Sequence, residues 1–181
     1  MTTTITEHFG PWAEADYLGL DTGINRVELI NGNLLVSPWP DNCHQIALAP
    51  LVFGTMRAAR KAGLHAVGNV WVRLTADTIV IPDVVAVDKR QNEDVTDVSD
   101  VILLGEVISP TTELIDRVLK AHLYAAAGIG WFLTVELEPA VVRLQRLQGD
   151  RYFEHAVAVA GQTLKSSFPF PFSITVDELF D

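Results

Sequence analysis

Two acidic residues of this chain stand in stretches that are otherwise apolar. Asp83 lies between Ile79-Val-Ile-Pro and Val84-Val-Ala-Val, and Glu106 lies within Val101-Ile-Leu-Leu-Gly-Glu-Val-Ile. A buried carboxylate that stays ionised must be paired or bind a metal, because leaving it alone is costly. If the two stretches are neighbouring strands, a cation between the acids would remove their repulsion, and such oxygen ligands suit Mg²⁺ or Mn²⁺. Taken singly, each acid could instead bind an arginine or backbone amides at a strand end.

Three residues after Glu106 are spaced for one face of a helix. Asp116, Lys120 and Tyr124 follow one another at intervals of four, so their side chains lie on the same side. They could be a surface Asp–Lys pair, worth a few tenths of a kcal/mol. They could also place the Lys120 ammonium over a metal site, where it would orient a water molecule or steady a phosphate. Spacing alone favours the surface pair.

Other polar residues also have two interpretations. Glu28, in the first strand of the predicted hairpin, alternates with Arg26 and Ile30 and is either a third acidic ligand or, as the pattern favours, an exposed strand residue. His44 opens a predicted helix and is more often a cap or interface residue than a base. Arg57, Arg60 and Lys61 end that helix; they complement its dipole or contact a phosphate.

Composition narrows the class of protein. The 181 residues are 49% hydrophobic and 20% charged, as expected of one globular domain over residues 1–181. No apolar run reaches the roughly 18 residues of a membrane span. The first eight residues do not follow the basic-then-apolar pattern of a secretory signal, so none is expected. Cys43 is the only cysteine, which favours a reducing, cytoplasmic location. Ser/His/Asp, zinc-binding and glycine-rich phosphate-loop signatures are absent from the sequence.

The net charge of −10 argues against a protein that coats nucleic acid non-specifically, because such proteins are usually basic. The net charge is still compatible with a local basic groove. It is also compatible with an acidic site whose charge is offset by bound cations.

The predicted elements form a mixed sheet flanked by helices rather than a regularly alternating parallel sheet. Asn31-Gly32 predicts a tight hairpin turn between strands 26–30 and 33–37. Further predicted strands span 67–74, 78–87, 101–108, 131–137, 140–147 and 152–159. Predicted helices span 8–20, 42–62 and 109–127, residues 90–100 form a loop, and the tail closes with a helical turn.

The second predicted helix has an apolar face composed of Leu48, Leu51, Val52, Met56 and Ala59. Pro50 should kink it or reset its start, and Gly63 should end it. In the third helix, Ser109 and Pro110 suit the N-cap and first position, and Gly128 suits the C-terminal cap.

These residues together resemble the Uma-two family of restriction-endonuclease-like proteins. The resemblance is carried by Val27-Glu28-Leu-Ile-Asn-Gly-Asn-Leu, His44, Ile81-Pro-Asp83-Val-Val-Ala-Val and Gly105-Glu106-Val-Ile-Ser-Pro-Thr-Thr. It continues through Asp116-Arg117, Lys120, Tyr124, Gly128 and the closing Asp-Glu-Leu-Phe. The motifs follow the family's order over nearly the whole chain.

The resemblance implies a PD-(D/E)XK nuclease core, in which Asp83 and Glu106 match the motif acids that bind a divalent ion. Glu28 matches an acid from an earlier element that completes the metal shell. Ile108 stands where the superfamily motif has lysine, and Lys120 matches the amine that the family takes from the next helix. His44, Asp116 and Tyr124 are possible accessory residues.

The function implied is Mg²⁺- or Mn²⁺-dependent hydrolysis of DNA phosphodiester bonds, with Asp83, Glu106 and Lys120 as catalytic residues. Two alternatives stay open: a catalytically silent relative that serves as a binding or assembly module, and a hydrolase of a smaller phosphodiester. A homodimer is expected, because exposed edge strands and a small cleft would favour one.

Overall fold

A computed structural model describes residues 9–23, 25–38, 40–89, 93–109 and 113–180. Pro110, the predicted first helical position after strand 101–108, lies outside these residues. The α-helices are α1 (Glu14–Leu18), α2 (Asn42–Lys61) and α3 (Ala121–Ala126). The strands are β1 (Arg26–Ile30), β2 (Asn33–Ser37), β3 (His65–Val67), β4 (Trp71–Thr75), β5 (Thr78–Val80), β6 (Val84–Val87), β7 (Val95–Asp97), β8 (Val101–Ile108), β9 (Trp131–Glu136), β10 (Val141–Gln148), β11 (Arg151–Val159), β12 (Thr163–Ser166) and β13 (Phe172–Thr175).

The larger sheet has six strands in the order β11-β10-β9-β8-β6-β3. β8 is central: it pairs antiparallel with β6 and parallel with β9. Its last six residues are buried, which confirms the prediction of a central strand with apolar residues on both faces. Because β8 and β9 are parallel, the chain must cross over between them, and the crossover carries the helix after Glu106.

A second sheet has five strands in the order β2-β1-β5-β4-β7. Its β1–β2 hairpin confirms the predicted turn, with positive φ at both Asn31 (50°) and Gly32 (72°). The strand β1 is buried along its whole length. The smaller β12–β13 hairpin forms a third sheet.

The predicted strand 78–87 was wrong as a single strand. It divides into β5, which belongs to the five-stranded sheet, and β6, which belongs to the six-stranded sheet. Pro82 cannot donate to a ladder, and the chain passes from one sheet to the other through residues 81–83. Asp83 therefore lies at the junction of the two sheets and not within a strand.

The predicted strand 67–74 divides in the same way. β3 and β4 are separated by a bend in which Asn69 has a φ of 52°, a left-handed conformation that asparagine tolerates better than most residues. The region 90–100 was also more than a loop, since it contains β7 and a 3₁₀ turn at Val98–Asp100.

Helix α2 packs against β3, β6 and β8. Leu48, Leu51 and Ala59 are buried as predicted, whereas Met56 is exposed and Val52 is only half-buried. Pro50 lies inside the helix, so it neither resets the start nor ends it. Gly63 follows the end of the helix with a positive φ of 77°.

The remaining elements depart from the predictions in length or in kind. α1 is five residues long, shorter than predicted. The helix after β8 contains a π-helical segment, Ile115–Lys120, that leads directly into α3. The β12–β13 hairpin was not predicted, whereas a closing turn at Asp177–Leu179 was.

Candidate active site

The junction of the two sheets brings together side chains from five parts of the chain. β1 supplies Arg26 and Glu28, the crossing after β5 supplies Asp83, β8 supplies Glu106, and the π-helical segment and α3 supply Asp116, Lys120 and Tyr124. Helix α2 adds His44 from its first turn. The Asp41 side chain caps this turn by accepting a hydrogen bond from His44 N at 2.9 Å. All of these side chains are buried.

Asp83 is held by three donors. Arg26 Nη1 lies 3.2 Å from Oδ1, His44 Nε2 lies 3.0 Å from Oδ2, and the Val107 amide donates to Oδ2 at 2.8 Å. Burial by itself would raise the pKa of Asp83, but the hydrogen bond with His44 and the charge of Arg26 outweigh it and lower the pKa to about 2. Asp83 is therefore ionised, with both an arginine and a backbone amide as partners.

Glu106 lies in a different electrostatic environment, although it belongs to the same cluster. Its Oε1 accepts from the Tyr124 hydroxyl at 2.5 Å and from Lys120 Nζ at 3.1 Å. Burial raises the pKa of Glu106 to about 8; Lys120 opposes this, and the Asp83 carboxylate adds to it. The two acids thus have pKa values pushed apart in the way that functional carboxylate pairs often show.

Lys120 is the centre of the acidic cluster. Its Nζ lies 3.1 Å from Glu106 Oε1, 3.3 Å from Glu28 Oε1 and 3.5 Å from Asp116 Oδ1, and the side chain is 2% exposed. Burial would lower the pKa of Lys120, but these carboxylates more than compensate, so the amine stays charged. The surface interpretations of the Asp116–Lys120 pair and of Glu28 are both wrong.

The cluster contains more negative than positive charge. Among the described residues its four carboxylates face two permanent cations, Arg26 and Lys120. This leaves two negative charges in excess once all four acids are ionised, as they would be around a bound cation; the raised pKa of Glu106 shows the cost of that ionisation when no cation is bound. The carboxylates are those of Glu28, Asp83, Glu106 and Asp116. A hard divalent cation would match both this excess charge and the oxygen donors, so the donor chemistry fits one.

Lys120 and Arg26 would have to shift before a metal ion could contact the acids directly. Within the described ranges, no three acidic, histidine or cysteine side chains are grouped as a metal-ion site requires. Lys120 lies between the glutamates, and Arg26 occupies one oxygen of Asp83. The cavity among these groups is small, about 30 Å³, which is room for an ion or a water molecule. Ser37, Pro38 and Ser109 are among the residues that line it.

The sequence named most of this cluster and missed one member. Arg26 was not predicted, although it lies two residues before Glu28 and a strand places such residues on one face. Arg57, Arg60 and Lys61, considered as phosphate contacts, are exposed on α2 and line no part of the cavity. Ile108 is buried and offers no amine.

Comparison with known proteins decides the family. A model of the Uma2 family, described as "Putative restriction endonuclease", matches residues 12–177. The chain belongs to the Uma2 family. This confirms the resemblance found in the sequence motifs. Curated proteins give no significant match.

Solved structures support the fold of this Uma2 protein. A crystal structure from Anabaena variabilis, described as "a putative nuclease belonging to DUF820", aligns with a TM-score of 0.68. The alignment has 15% identity and covers 94% of this chain and 98% of the other. At that identity the similarity establishes the fold alone, which is the predicted α/β restriction-endonuclease-like core. No helix in the described ranges is both long and apolar enough to cross a membrane.

Proposed function

We propose that this Uma2 protein hydrolyses DNA phosphodiester bonds with the aid of a divalent metal ion, Mg²⁺ or Mn²⁺. One observation carries the proposal: at the junction of the sheets, four carboxyl groups are buried together with two permanent cations among the described residues, Arg26 and Lys120. Keeping such charges buried is costly unless a cation compensates them. Membership of a family described as restriction endonucleases supports the same reaction class.

Asp83 and Glu106 would hold the ion, and Glu28 would complete its ligands. A divalent ion bound there would polarise the phosphate and lower the pKa of the attacking water. Arg26 and His44 fix the orientation of the Asp83 carboxylate, and Tyr124 fixes that of Glu106. The Lys120 ammonium would position the attacking water or stabilise the charge that develops on the phosphate.

In the reaction, the water oxygen forms a bond to phosphorus, and the bond between phosphorus and the leaving sugar oxygen breaks. The attacking water loses a proton, and the leaving oxygen gains one. The side chains of the cluster supply positioning and electrostatic stabilisation, which account for most catalysis of phosphoryl transfer.

Two observations favour the alternatives. The small cavity favours a phosphodiester smaller than DNA. The absence of three grouped ligands in the described ranges, together with the net charge of −10, favours a silent binding module.

The test is nicking of supercoiled plasmid in MgCl₂ or MnCl₂ by the wild type and by Asp83→Asn. Asp100→Asn is the matched control, because Asp100 is also a buried aspartate with a cationic partner, Lys89 at 2.7 Å, outside the cluster. We expect metal-dependent nicking that falls at least 100-fold in Asp83→Asn and is kept in Asp100→Asn. Equal nicking in all three proteins, or nicking without added metal, would contradict the proposal.

A further inference from the structure

A second cavity lies beside the acidic cluster, and nothing in the proposed chemistry uses it. It measures about 310 Å³, near the lower end of the roughly 300–1,000 Å³ of small-molecule sites. Its lining includes Tyr17, Leu20, Asn25, Arg26, Asn69 and Trp71. An apolar pocket with a few polar groups at its edge is the usual composition of a small-molecule site.

Arg26 belongs to both cavities. Its Nη1 donates to Asp83 and its Nη2 to the Ile81 carbonyl. Its Nε is buried and has no hydrogen-bond acceptor within the described residues. Since a buried donor without an acceptor is costly, Arg26 keeps unused hydrogen-bonding capacity at the boundary between the two cavities. The 9%-exposed Arg26 thus links the second cavity directly to the acid that is proposed to bind the metal.

The loop that carries Asn69 is fixed against the acidic cluster. A side chain at Gly68 would approach the Asp83 carbonyl oxygen and Val52 Cγ2 at 3.1 Å each, so the backbone passes very close to Asp83. The next residue, Asn69, has a φ of 52°, and its side chain is exposed. The left-handed backbone of Asn69 and the close packing of Gly68 together hold the Asn69 side-chain amide at the edge of the second cavity.

The accessible groups of this cavity match a nucleobase. Trp71 is half-buried and meets Tyr17 edge-on, with ring centroids 6.3 Å apart, so an aromatic surface borders the pocket. The exposed amides of Asn25 and Asn69 can each donate and accept. Proteins recognise unstacked bases by this combination of aromatic stacking and hydrogen bonds to the base edge.

We propose that the second cavity binds the base of a nucleoside phosphate whose phosphate lies at the acidic cluster, with Arg26 between the two. The inference rests on the proposed function and narrows its substrate to a nucleotide with an accessible base. Such a nucleotide is either free or part of a single strand, because a paired base would first have to leave its stack.

The test uses fluorescence of 2-aminopurine, measured in CaCl₂, so that a divalent cation is present to accept the phosphate at the acidic cluster. The strands carry phosphorothioate linkages, which resist hydrolysis. The probes are 2-aminopurine deoxyriboside 5′-monophosphate, a single-stranded hexanucleotide with 2-aminopurine at its centre, and the same strand in a duplex. Asn69→Gly removes the amide while glycine keeps the left-handed backbone. Asn31→Gly is the matched control, because Asn31 has a φ of 50° and lines neither cavity.

We expect a change in fluorescence on binding of the monophosphate or the hexanucleotide, with Kd raised about fivefold in Asn69→Gly, as loss of one hydrogen bond predicts. Asn31→Gly should bind as the wild type does. Binding of the hexanucleotide alone would identify a strand as the source of the base, and binding of both would include free nucleotides. Equal Kd values in the two variants, strongest binding to the duplex, or binding of no probe would overturn the inference.

The two proposals fail separately. Base binding is measured without turnover, so a protein that binds the probes but does not nick plasmid would contradict only the proposed hydrolysis. A protein that nicks plasmid in an Asp83-dependent way but treats Asn69→Gly and Asn31→Gly alike would contradict only the base site.

Discussion

Lys120 shows how far single residues could be understood from the sequence. Its spacing from Asp116 and Tyr124 was visible, but four-residue spacing is the same on an exposed and on a buried helix face. The structure places its amine among three carboxylates at 3.1–3.5 Å. Asp83 and Glu106 were easier to recognise, because charged residues within apolar runs need a partner wherever the runs lie.

Replacing Lys120 with a neutral residue should destabilise the protein, because the acids around its amine would lose their shared cation. We expect Lys120→Met to lower the free energy of unfolding by about 3–5 kcal/mol, because breaking a buried ion pair leaves charges uncompensated. Thermal unfolding should also show that MnCl₂ raises the Tm of this variant more than that of the wild type. Lys89→Met, at a lysine 65% exposed, is the control and should cost well under 1 kcal/mol. Equal losses in the two variants would refute the central role of the Lys120 amine.

The sequence predicted correctly those elements whose whole apolar or helical pattern belongs to a single strand pair, strand or helix. β8, the β1–β2 hairpin and α2 follow directly from apolar runs, turn residues and helical spacing. The strands 67–74 and 78–87 failed because an apolar run does not reveal that the chain passes from one sheet to another. The β12–β13 hairpin was missed because its four-residue strands give little periodicity.

The crossing at Asp83 depends on the close approach of Gly68. We expect Gly68→Ala to lower the free energy of unfolding by about 1–3 kcal/mol, because its new methyl group meets a backbone oxygen and Val52 at 3.1 Å. The control Gly54→Ala adds a methyl group within α2 where nothing lies within 4 Å, and it should gain about 0.5–1 kcal/mol. Urea unfolding measures both changes. A neutral Gly68→Ala would mean that the crossing tolerates displacement.

The helix after β8 is tied to the sheet through Glu136 on β9. Arg117 Nη2 lies 2.8 Å and Arg143 Nε 3.1 Å from its carboxylate. Burial would raise the pKa of Glu136, but the hydrogen bonds with these arginines outweigh it and lower the pKa. The stabilisation is therefore present above the unfolded-state pKa of about 4.3 and is lost as the pH falls through the lower folded-state pKa.

Glu136→Gln should therefore cost about 1 kcal/mol at pH 7, discounted because both arginines are partly exposed. Urea unfolding of wild type and variant at pH 7 and pH 3 tests this, and the difference should shrink at pH 3. A difference that grows as the pH falls would contradict the direction of the pKa shift.

For the molecule as a whole, composition restricted the class of protein but not its assembly. β11 is a nine-residue strand that, in the described ranges, pairs only with β10 in its sheet. Phe153, Val157 and Val159 on it are at least 43% exposed. Exposed edges of this kind favour pairing with another chain, so the expected homodimer remains a prediction.

Sedimentation velocity over a range of protein concentrations tests the dimer. Val157→Lys should shift the protein towards monomer, because the edge would then carry a charge into the interface. Val36→Lys is the control, since Val36 is 50% exposed on β2, an edge of the other sheet. A monomeric wild type, or equal effects of the two variants, would contradict a dimer through β11.

The most direct test of the account is the number of Mn²⁺ ions that the protein binds, measured by electron paramagnetic resonance of free Mn²⁺. The four acids around Lys120 and Arg26 predict a tight site in the wild type that is lost in Glu106→Gln and in Asp83→Asn, and kept in Asp100→Asn. Wild-type protein that binds no Mn²⁺, or binding that survives in Glu106→Gln and Asp83→Asn, would contradict a metal site at the junction of the two sheets.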